Sequence, residues 1–139
     1  MRRLLTVAAL ALVAWRADAG TLQARLVRAT GEAITDQRLA DIEPSLKKRF
    51  GYEHYQQMGV QQTSLDGKDQ QRLDLGEGFV VFVTPKSVEK SIREINLEWY
   101  SGRVALVKTT AKISGKNPLF IKGPEVGKDW IVLALTVRD

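Results

Sequence analysis

The sequence predicts a mainly β domain, an antiparallel β-sandwich or flattened barrel of about eight strands with one helix on its N-terminal side. Three observations predict it. Turn signals recur at short intervals from Asp66-Gly67 onward, with no helical pattern between them. Most segments between turns alternate apolar and polar residues, the period of a strand with one wet face. Two runs break that alternation, Phe79-Val80-Val81-Phe82-Val83 and Trp130-Ile131-Val132-Leu133-Ala134-Leu135-Thr136-Val137. Neither offers water a charged face, so both are expected as interior strands.

Length and composition fit one globular domain: 139 residues, 44% apolar and 27% charged, are enough to bury a core. Arg2-Arg3, an apolar segment over 4–15 and the small residues Ala17 and Ala19 read as a signal peptide over 1–19, leaving a mature domain over 20–139. The apolar segment is shorter than the roughly 20 residues that span a bilayer as a helix. The expectation is therefore a periplasmic or secreted protein with no retained membrane span. Cysteine is absent, which excludes disulfides, thiol catalysis, thiolate metal sites and a lipid-bearing cysteine. Without Arg2, Arg3, Arg16 and Asp18, the 21 basic and 16 acidic residues become 18 and 15. A net charge of about +3 supplies no concentrated field for nucleic acid, and no nucleic-acid partner is expected.

Leu22, Ala24 and Leu26 alternate with Gln23 and Arg25, predicting a half-buried strand over 21–29. Thr35 or Asp36 can cap the helix that follows, whose apolar face is Leu39, Ile42, Leu46 and Phe50. Pro44 lacks the amide a helix interior needs, so a kink is expected, or two short helices with the second starting near Glu43. Lys47-Lys48-Arg49 suits the negative end of that helix, and Gly51 suits its terminator. The same three cations could instead receive an acidic partner. Residues 52–65 alternate over a long polar strand, placing Tyr55, Gln57 and Gln61 on one face as an amide-rich stripe able to hydrogen-bond a sugar or peptide. Asp66-Gly67 predicts a tight hairpin returning through 71–75. Gly76-Glu77-Gly78 then punctuates the chain before the Phe79 run. After Pro85-Lys86-Ser87, Ile95, Leu97 and Trp99 share one face of a strand that Ser101-Gly102 turns into 104–113. There Lys108, Thr110 and Lys112 form a basic, wet row. Ser114-Gly115-Lys116-Asn117 turns again, 119–122 is a short strand, and Gly123-Pro124 begins a loop to the last strand.

Chemistry-bearing patterns are few. His54 is the only histidine, and no nucleophile motif accompanies it. Asp66, Asp69 and Asp74 surround a turn without the spacing of a calcium loop. Glu94 and Glu98 are the acids for a carboxylate-dependent hydrolase acting on carbohydrate, with Tyr55 and Trp99 as stacking platforms. Cross-strand pairing of these glutamates with Lys108 and Lys112 is the simpler account. No catalytic residue, metal ligand or cofactor is assigned. The binding residues singled out are Tyr55, Gln57, Gln61 and Trp99.

The segments Leu46-Lys47-Lys48-Arg49-Phe50-Gly51-Tyr52, Leu73-Asp74-Leu75-Gly76-Glu77-Gly78-Phe79 and Gly123-Pro124-Glu125-Val126-Gly127 resemble an uncharacterised family of small exported bacterial proteins. That resemblance implies an extracytoplasmic β domain and brings no site residues with it. The stretch from Thr109-Thr110-Ala111-Lys112-Ile113 through Leu119-Phe120-Ile121-Lys122-Gly123 resembles the C-terminal β region of secretins. This chain departs from secretins in lacking a long pore-forming region. The expected function is a non-enzymatic exported module that binds a protein or glycan of the cell envelope, or assists envelope assembly.

Overall fold

Residues 20–138 are described by a computed structural model, in which eight strands form two four-stranded antiparallel sheets. The order along the chain is β1 (Thr21–Thr30), a 3-10 turn (Gln37–Leu39), α1 (Glu43–Phe50), β2 (His54–Ser64), β3 (Gln71–Gly76), β4 (Phe79–Glu89), β5 (Ile92–Ser101), β6 (Val104–Ser114), β7 (Leu119–Val126) and β8 (Asp129–Arg138). One sheet runs β2-β1-β8-β7 and the other β3-β4-β5-β6. The fold is thus the expected antiparallel β-sandwich, with no closed barrel. The leader assigned to 1–19 lies outside the described residues, as does Asp139. Among the described residues, no helix is long and apolar enough to cross a membrane.

The two apolar runs are interior strands for different physical reasons. In β8, Ile131, Leu133, Leu135 and Val137 enter the core between the sheets. Val132 and Ala134 point the other way and meet Val27, Ala29, Leu39, Ile42, Leu46 and Tyr55 beneath α1. This strand is buried on both faces because the helix forms a third layer over it. In β4, Val81 and Val83 are core, whereas Val80 and Phe82 lie half-buried on an outer sheet face that no helix among the described residues covers. Phe82 is sheltered by Tyr100 across the strand pair, edge-to-face at 5.7 Å.

The helical segment splits as Pro44 requires. Asp36 caps the 3-10 turn, its carboxylate accepting from the Arg38 amide at 3.1 Å. Pro44 sits in the first turn of α1, where its missing N–H costs nothing. Gly51 ends the helix at φ 78°. Because this segment lies over the outer face of β1, that strand is more than half-buried. Arg25, expected on a wet face, is 3% exposed. Its guanidinium is held by both oxygens of Asp41, at 2.9 and 2.8 Å, and by the Arg38 carbonyl at 3.3 Å.

Three connections differ from expectation. Asp66-Gly67 does not close a hairpin, because β2 and β3 belong to different sheets and residues 65–70 carry the chain across the sandwich. The tight hairpin comes next, at Gly76-Glu77-Gly78, all three with positive φ. Pro85 does not end its strand. It lies beyond the last residue that β3 pairs, where β4 is locally an edge, and a bulge at Lys86 absorbs the register change. Gly123-Pro124 belongs to β7, not to a loop, and the ladder to β8 shifts register there. Gly123 is required at that point, since a Cβ on it would come 2.3 Å from the Trp99 ring.

Candidate functional site

The four residues singled out as a binding surface are not brought together. Tyr55 is 1% exposed beneath α1, and its hydroxyl donates to the Leu46 carbonyl at 2.9 Å. The phenol thus secures the helix to β2. Burial raises its pKa above the ordinary tyrosine value. Trp99 is fully enclosed between the sheets against Phe79, and its Nε1 has no hydrogen-bond partner among the described residues. It offers no stacking face to a sugar.

The amide stripe fails because of one bulge. Along β2, Val27 pairs with Gln57 and Leu26 with Gly59, leaving Met58 as the extra residue. One inserted residue reverses the facing of everything beyond it. Tyr55 and Gln57 therefore share the helix side, while Gln61, opposite Ala24, faces the side of the other sheet.

At Gln57 the backbone edge of β2 is blocked. The Asp36 carboxylate accepts from the Gln57 amide at 2.9 Å, and Arg38 donates to the Gln57 carbonyl at 3.3 Å. Asp36 also receives the Arg38 side chain at 2.8 and 2.7 Å. The Arg38 hydrogen bonds, helped by those from the two amides, hold its carboxyl at about 2 against their own desolvating burial. A depressed carboxyl stabilises the fold above its unfolded pKa of about 3.9 and loses that contribution as pH falls toward 2. Wild-type protein is expected to lose up to about 2 kcal/mol more than Asp36→Asn between pH 5 and pH 2, measured by denaturant unfolding. Parallel pH profiles for the two proteins would remove Asp36 as the source.

The remaining chemical candidates are dispersed. His54 Nδ1 lies 3.1 Å from the Ile34 carbonyl. Asp74 accepts from the Gly76 amide, and Asp66 from the Ser64 hydroxyl. Among the described residues, no group of three His, Cys, Asp or Glu side chains converges on a metal position. Glu94 and Glu98 occupy the same face of β5, four residues apart. At roughly 3.3 Å per residue their backbones stand about 13 Å apart, on a ladder that sets each beside its own cross-strand neighbour. They lie directly opposite Lys112 and Lys108 in the ladder. No ion pair forms across either couple among the described residues. Glu98 instead accepts from the Tyr100 hydroxyl at 2.7 Å.

Lys47 pairs with Glu43 at 3.1 Å, as charges one helical turn apart do. Lys48 and Arg49 flank a shallow depression between α1 and the start of β7, floored by Phe120, which Phe50 meets edge-on at 6.0 Å.

What the alternation of residues could not reveal is the asymmetry of the two flanks. On one, β2 presses against β3 so closely that a Cβ on Gly59 would stand 1.9 Å from the Leu75 carbonyl oxygen. On the other, β6 and β7 end their sheets, and their shared turn carries the only backbone bridge there among the described residues, Ser114 to Asn117. Leu106, Val107, Leu119 and Ile121 line this flank, partly buried against the core. Val104 is 63% exposed. The arrangement offers unpaired backbone donors and acceptors beside apolar surface, which is the chemistry of strand recognition. No family model, curated protein or solved structure matches the chain.

Proposed function

We propose that this protein is a non-enzymatic exported module that binds another component of the cell envelope or assists its assembly. The observation that carries the reading is the open flank between β6 and β7, where two strand edges lack partners among the described residues and lie beside half-buried apolar side chains. The leader pattern over 1–19 supplies the address, and the resemblance of three segments to small exported proteins points the same way. The aromatic residues suited to stacking on a sugar support the fold instead, since Tyr55 and Trp99 are enclosed.

The test is expression of the full chain with a C-terminal tag in a bacterial host. Export with an amino terminus at Gly20, and saturable capture of one component from the envelope fraction, are the expected results. Retention in the cytoplasm with the leader intact would overturn the address. Turnover of glycan substrates without any captured component would overturn the binding role.

A further inference from the structure

Resting on the binding-module reading, we infer that the β6 edge is the docking site and that its occupant is an extended acidic segment of a partner protein, added to the β3-β4-β5-β6 sheet as a further strand. β6 is an 11-residue edge strand with one break in its ladder to β5, at Leu106. From Val107 to Ile113 its register is continuous, and short of the Ser114–Asn117 bridge the side away from β5 presents a regular series of backbone groups with no strand partner among the described residues.

The side chains along that stretch define the occupant. Lys108, Thr110 and Lys112 form an exposed row on the outer face of the sheet. Neither lysine forms an ion pair with the glutamate opposite it among the described residues, and Lys108 lies 5.8 Å from the Tyr100 ring centre. On the other face, Val107, Thr109, Ala111 and Ile113 lead into the apolar flank completed by Leu119 and Ile121, with Thr109 the exposed polar member of that row. A strand laid along β6 therefore meets cations on one face and hydrocarbon on the other. Its complement carries carboxylates four positions apart, opposite Lys108 and Lys112, with apolar residues at the alternate positions.

The same charges argue against a second copy as the occupant. An antiparallel self-pairing centred on Thr110 sets Lys108 of one copy directly opposite Lys112 of the other, and any nearby register gathers four ammonium groups on one sheet face. Like charges opposite each other destabilise a ladder. Edge lysines so placed deter self-association while leaving the edge open to an acidic strand.

The probe is a capped seven-residue peptide with glutamate at its second and sixth positions, threonine at the fourth and valine at the odd positions. It is titrated against the full chain by fluorescence anisotropy, with hydrogen exchange read by NMR. Binding is expected to protect amides of β6, to weaken by about tenfold or more in Lys108→Glu/Lys112→Glu, and to be restored to that variant by a peptide bearing lysine in place of glutamate. Both positions are exposed, so the variant should stay folded, its unfolding midpoint lowered only modestly by the like-charge pairs that the new glutamates make with Glu98 and Glu94 across the ladder. Protection elsewhere, indifference to charge reversal, no binding by either peptide, or concentration-dependent dimerisation through β6 would each overturn the inference. Envelope capture by wild type that persists undiminished in the charge-reversed variant would sink the β6 assignment while leaving the module reading standing.

Discussion

Gly59→Ala is expected to destabilise the protein by about 3 kcal/mol or more, one of the largest effects available from adding a single methyl group. The added Cβ would stand 1.9 Å from the Leu75 carbonyl oxygen and 2.9 Å from its carbonyl carbon. Both are backbone atoms of a paired strand, so relief requires β2 and β3 to separate, opening the flank that closes the sandwich. A flexible side chain could swing aside, but this carbonyl cannot do so without disturbing Leu75, which is 3% exposed. Gly31→Ala is the matched control. No atom lies within 4 Å of a Cβ there and its φ is not positive, so the change should be neutral or stabilise by up to about 1 kcal/mol through the unfolded chain. Denaturant unfolding of both variants checks the contrast. A cost below about 1 kcal/mol at Gly59 would show that the two strands do not press together.

The close approach at Gly59 illustrates what a sequence carries and what it does not. Side-chain alternation marks β1, β5 and β6 because each has a core-facing row, such as Ile95, Leu97 and Trp99, that water cannot reach. The Pro44 break and the Gly51 stop are legible because both act through their own backbone chemistry. Sheet membership is not local in this way. Asp66-Gly67 looks the same whether the next strand returns beside β2 or crosses to the other sheet, and only packing between distant strands decides. The bulge at Met58 has no turn residue to announce it, yet it separates Gln61 from Tyr55 and Gln57. Burial of Arg25 was equally hidden, since it depends on Asp41 arriving from the helical layer. The candidate site is the least legible part. Aromatic and amide residues have the chemistry of ligand contacts whether buried or exposed, whereas the open feature is a backbone edge whose side chains, Lys108, Thr110 and Lys112, look like any solvated row.

Leu133→Ala should cost about 2 to 5 kcal/mol, the range for truncating a buried leucine whose surroundings cannot collapse into the space. Leu133 is fully buried at the centre of its sheet, opposite Leu26 on one side and Ile121 on the other. Its side chain faces the β3-β4-β5-β6 sheet, so the void would open between layers. The neighbours are poorly placed to fill it, because Leu26 is fixed by pairing with both β2 and β8. The helix on the opposite face holds Val132 and Ala134 in position, which further limits relaxation of β8. Val104→Ala, at a position 63% exposed, removes a comparable amount of hydrocarbon from solvent and should change stability by no more than about 0.5 kcal/mol. A midpoint shift confined to Leu133→Ala, with the denaturant slope unchanged, would establish that β8 is packed into the core between the sheets. Equal small losses at the two positions would mean that the apolar run is not packed from both sides, and the three-layer account of its charge-free sequence would fail with it.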